Sequence, residues 1–134
     1  MKTLSRKPHL ILWIVAIILF LILLPKGSKT LDIQLHDTYF VFSFLQYAGI
    51  LSLFLILQGV VYRLVINRKL INWMTVVHVV GTCLLVSIFV INLAIQDNNY
   101  YLPSSPSLAL GVLLFLILQL LYIANITIAL IKKR

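Results

Sequence analysis

Charge is scarce in this chain, and acid is scarcest of all. Charged residues make up 10% of its 134 positions, and Asp32, Asp37 and Asp97 are its only acids, against eleven Lys and Arg. No charged residue falls inside the long apolar runs, where a pump or an ion-coupled transporter would need one, and this argues against both. Cys83 is the single cysteine, which excludes an intramolecular disulfide and a thiolate metal cluster. No small-x-small cleavage site follows the basic leader "MKTLSRKPH" and its apolar run, which ends in "LLPKGSK". A retained span is therefore expected there in place of a cleaved signal peptide. Internal repeats and low-complexity segments are missing as well.

What is present is overwhelmingly apolar. Hydrophobic residues account for 62% of the chain and its mean hydropathy is +1.09, outside the range of soluble globular domains. The apolar material falls in four runs, near residues 10–24, 40–62, 73–95 and 108–131. A span of the ~30 Å hydrocarbon core takes roughly 17 to 25 residues. Lipid offers nothing to backbone N–H and C=O groups, so such runs must be helices. The expected fold class is an all-α membrane protein: one four-transmembrane-helix bundle over residues 1–134, with helices near 9–25, 39–66, 72–96 and 106–131. The first run is short, so Lys7 and Lys26 are expected to snorkel toward the headgroups.

The net charge of +8 is a topology signal and implies no nucleic-acid partner. Nine of the eleven basic residues lie before the first run, around the turn after the second, or at the C-terminus. Lys26, Lys29 and all three acids lie on the other side. By the positive-inside rule both termini are cytoplasmic, and the loops at 25–39 and 96–107 face outward. Trp13 and Trp73 suit an inner aromatic belt, and Tyr100 and Tyr101 an outer one.

At 100° per residue the polar side chains gather into stripes. The third run carries Thr75, His78, Thr82, Asn92 and Gln96, the second Ser43, Gln46 and Gln58, and the fourth Gly111, Gln119 and Tyr122, with Asn125 at the stripe's edge. The first run has none between residues 10 and 24. The expectation is that helices two, three and four hydrogen-bond to one another while helix one packs outside them, largely against lipid. The sequon "NIT" at Asn125 lies within the fourth run and is not read as a glycosylation acceptor.

Histidines raise the question of a cofactor. His36 and His78 differ in depth by about 20 Å or more at the helical rise, so they cannot share a haem within one subunit. His9 is near His78 in depth, but a site between them would need helices one and three to face each other. A capping or interfacial role for His9 and a buried bond from His78 to Thr75 or Thr82 are the simpler readings. His36 and Asp37 stand at the outer interface with Asp32, where a hard cation could reach carboxylates. Against this, Asp37 or Thr38 can serve as the N-cap of helix two.

The stretch "LDIQLHDTYFVFSFLQY" at residues 31–47 resembles a motif of subunit I of the haem-copper oxidases, close to L-D-I-x-L-H-D-T-Y-Y-V-x-x-H-F-H-Y. The preceding "LPKGSKT", the third-helix "HVVGT" and "SLALGVLLF" extend the likeness weakly, so the chain is similar to the C-terminal four helices of that subunit. In the family the H-x-H pair ligates the two haem irons. Phe44 and Gln46 stand at those positions here, and neither replaces an imidazole. The family's copper-bearing helices have no counterpart. The resemblance implies magnesium at His36 and Asp37 against a neighbouring subunit. It implies no catalysis: the expected function is that of an accessory, assembly or structural component of a respiratory membrane complex, in a bacterial inner membrane. Partner subunits or a homo-oligomer are expected in addition to the bilayer. A small membrane redox protein binding a b-type haem or an interfacial metal ion is the alternative.

Overall fold

The computed structural model describes residues 7–35, 37–95, 100–102 and 106–132. Four long helices dominate: α1 (Pro8–Leu23), α2 (Phe44–Leu64), α3 (Asn72–Ile95) and α4 (Pro106–Ile131). α2, α3 and α4, and α1 together with the turn that follows it to Lys26, are each long and apolar enough to cross a membrane, and together they make a multi-pass bundle. Pro8 opens α1 at a position where its missing N–H costs nothing. Pro25, which cannot continue a helix, lies in the 3₁₀ turn Leu24–Lys26 that closes it.

The loops between helices carry a small sheet that hydropathy alone did not suggest. Strand β1 (Thr30–Leu35) pairs antiparallel with β2 (Thr38–Ser43) and parallel with β3 (Tyr100–Leu102), giving the order β2-β1-β3. Leu31, at 0% exposure, ties the sheet to the bundle core. Helix two therefore begins at Phe44 rather than near residue 39. Its cap is neither Asp37 nor Thr38, since β2 separates them from the helix. Ser43 is the cap: its Oγ accepts from Gln46 N at 3.1 Å, while Gln46 Oε1 accepts from Ser43 N at 3.0 Å. The pattern Ser43-x-x-Gln46 is the capping-box signature and was readable in the sequence.

Helix one is not the outsider that its apolar composition suggested. Leu12, Ala16, Leu19 and Leu23 are buried, and α1 packs closely against both α2 and α3. The contact is made with small residues and backbone carbonyls. Ser52 Oγ donates to Ala16 O at 3.0 Å, and Trp13 Nε1 donates to Ile56 O at 3.2 Å. Gly59 makes room for that indole: a Cβ there would stand 2.4 Å from Trp13 Nε1. Trp13 is thus wedged against α2, whereas Trp73 is 61% exposed. Lys26 reaches across to α3, where its Nζ donates to Ala94 O. Helix α4 is the peripheral element, packing on α3 with most of its surface outward.

Candidate functional site

Three layers of polar residues, one helical turn apart, stack between α2, α3 and α4. They run from the end of the bundle that carries Lys7, Arg68, Lys69 and Lys132 up to the middle of α3. The depths agree because α2 and α4 run one way and α3 the other, so Thr75 meets Asn125 and His78 meets Tyr122.

The outermost layer is fully paired. Asn125, at 0% exposure, reaches from α4 to the start of α3, where its Oδ1 accepts from Ile71 N at 2.9 Å. Its Nδ2 donates to Thr75 Oγ1 at 2.8 Å, and Thr75 Oγ1 donates on to Ile71 O at 3.2 Å. The first N–H groups of a helix have no intrahelical acceptor, so Asn125 supplies from a neighbouring helix the cap that α3 lacks. That is the role of the "NIT" asparagine.

The middle layer is aromatic. Tyr62 Oη and His78 Nδ1 lie 3.0 Å apart, and both residues are fully buried. Tyr122 stacks on the imidazole with ring centres 4.7 Å apart and 23° between planes, and meets Tyr62 edge-on at 5.2 Å. The partner of His78 is thus a tyrosine of α2, not Thr75 or Thr82. In the innermost layer Gln58 Nε2 donates to Gln119 Oε1 across α2 and α4, and Thr82 of α3 is buried. Beyond it the interior turns apolar, with Phe54 against Phe115 and Tyr47 against Phe89. Most of these residues belong to the polar stripes of the sequence; Tyr62 does not, because a tyrosine at the end of a span reads as an interfacial anchor.

The other polar residues go elsewhere. Asn92 is exposed and donates to Ile88 O of its own helix at 2.8 Å. Gly111 has open space where a Cβ would stand. Gln96 and His36 lie outside the described residues, so the pairing of His36 with Asp37 has no described geometry. Asp37 itself is exposed at the turn between β1 and β2. His9 packs edge-on against Trp13 at 5.3 Å, while His78 packs against Tyr122 and Tyr62. Helices one and three do face each other, as a site between His9 and His78 would require, yet the two imidazoles keep different neighbours. Among the described residues no three His, Cys, Asp or Glu side chains converge on a point.

Phe44 and Gln46, which replace histidines in the resemblance noted from the sequence, are both used by the fold. Phe44 is in the hydrophobic core at 0% exposure. Gln46 has its amide oxygen committed to the α2 cap.

Fold and site together define a four-span membrane protein whose interior is polar from one end to its middle and apolar beyond. No family model matches the chain, and neither a curated protein nor a solved structure does.

Proposed function

We propose that the chain is a non-catalytic integral membrane component, with an accessory, assembly or structural role in a respiratory membrane complex. On this reading both termini face the cytoplasm of a bacterial cell, and the segment at residues 31–47 keeps the outline of an oxidase subunit I entrance without its chemistry. The observation that carries the proposal is the fate of Phe44 and Gln46. One fills the core and the other closes a capping box, so both are spent on folding at the points where the resembling family holds iron. The sheet β2-β1-β3 then offers a partner a surface at the outer end.

The test is purification of the tagged chain from its own membranes in a mild detergent. The expected result is one or more membrane subunits in constant ratio with it. A stable lone monomer, free of other proteins under conditions that keep respiratory complexes intact, would count against the proposal.

A further inference from the structure

Where α1 begins and α2 ends, two cations share one corner of the bundle. The carbonyl oxygen of His9 lies 3.3 Å from where a Gly59 Cβ would stand, and Trp13 Nε1 donates to Ile56 O, so the first turns of α1 run antiparallel along the last turns of α2. Arg63 lies one turn beyond Gly59 on the same face of α2, and Lys7 immediately precedes α1. Both are exposed, and the charges of both are felt at the His9 ring. The start of α1 adds to this positive corner, since no side chain caps it and the first N–H groups of a helix lack intrahelical acceptors. Among the described residues no acid lies at this end. Asp32 and Asp37 belong to β1 and the turn after it, beyond the far end of α1, about 24 Å away at the helical rise.

The same seam continues into an apolar groove. Ala16, Ile17 and Phe20 of α1 and Gly49, Leu53 and Ile56 of α2 line about 330 Å³ of it. Arg63, Ile56 and Gly49 recur at intervals of seven, so the cation and the groove lie along one face of α2. From Arg63 to Leu53 the helical rise covers about 15 Å, half of the ~30 Å hydrocarbon core. Cation and groove are therefore one leaflet's depth apart, which is the reach of a single lipid. A second copy of this chain in the same orientation would bring its own Lys7 and Arg63 to this level, and by the positive-inside rule another membrane subunit would also bring a basic end. Neither supplies the missing negative charge.

We propose that the α1–α2 seam holds one anionic phospholipid, with its phosphate between Lys7 and Arg63 and one acyl chain running past Trp13 into the groove. The headgroup balances two like charges that the protein leaves together, as juxtamembrane Lys and Arg attract anionic lipid. The chain fills the apolar surface between Ile17 and Leu53. A zwitterionic headgroup fits less well, because it carries a cation of its own to a corner that already has two.

The test is fluorescence quenching by chain-brominated lipids in zwitterionic bilayers, using the full chain with Trp73→Phe so that Trp13 is the one tryptophan left. Brominated phosphatidylglycerol and brominated phosphatidylcholine carry the same chains and differ in headgroup charge. The expected result is stronger quenching of Trp13 by the anionic lipid at equal mole fraction. That preference should fall about fivefold in Lys7→Gln and in Arg63→Gln, and stay in place in Arg68→Gln with Lys69→Gln, which removes two charges from the same end but from the turn after α2. Equal quenching by the two lipids, or an equal loss in the variant at Arg68 and Lys69, would overturn the proposal. So would loss of the preference in inorganic phosphate but not in chloride of equal ionic strength, which would mark the corner as a site for the free anion.

Discussion

Replacing Asn125 with leucine tests how the bundle is held. The substitution keeps the side chain's bulk in a fully buried position but removes an acceptor 2.9 Å from Ile71 N and a donor 2.8 Å from Thr75 Oγ1. Interhelical hydrogen bonds in membranes are each worth about 0.6 to 2 kcal/mol. Ile71 N–H, left without its acceptor, adds a further penalty, moderated because Ile71 is only half-buried and close to the end of the bundle. The expected loss is about 2 to 3 kcal/mol. Thr75→Val alone removes the hydroxyl that Asn125 contacts, and is expected to cost about 1 kcal/mol. The two share one contact, so the double variant should fall short of the sum by about 1 kcal/mol. Unfolding in mixed micelles, followed by circular dichroism, measures all three. Strict additivity, or an Asn125→Leu variant within about 0.5 kcal/mol of wild type, would refute the capping role.

Three further outcomes follow from the packing. Gly59→Ala drives a Cβ to 2.4 Å from Trp13 Nε1, so it should destabilise by about 1 to 3 kcal/mol and alter Trp13 fluorescence; in a Trp13→Ala background the same change should cost little. Gly111→Ala meets nothing within 4 Å and should leave the protein as stable or raise its stability by up to about 1 kcal/mol, read in the same unfolding assay. Ser43→Ala removes the α2 capping box and should cost about 1 kcal/mol, with faster amide exchange confined to the first turn of α2.

The helices were legible because each apolar run exceeds the length of a membrane crossing and little else competes with it. The start of α2 was not, since "TYFVFS" is as apolar as the helix it precedes, and hydropathy merges strand and helix into one run. The Ser43-x-x-Gln46 pattern marks the boundary that hydropathy blurs. Thr75, His78, Thr82, Gln119 and Tyr122 were visible as stripes because side chains that avoid lipid share a face. Their pairing was not, since Tyr62 joins the stack from a position that resembles an interfacial belt. The place of α1 was hidden for a different reason. It is held through its own Ala16 carbonyl, which accepts from Ser52, through the Ile56 carbonyl that Trp13 reaches, and through the missing side chain of Gly59; neither a carbonyl nor a missing side chain registers as polarity in a helical wheel.

The central proposal, that residues 31–47 serve this chain as structure and not as a redox site, is tested most directly by an optical difference spectrum. The protein is purified from its own membranes in mild detergent and compared in its reduced and oxidised states. The account predicts no Soret band attributable to this chain. A Soret band in stoichiometric amount that disappears in His78→Ala would contradict it.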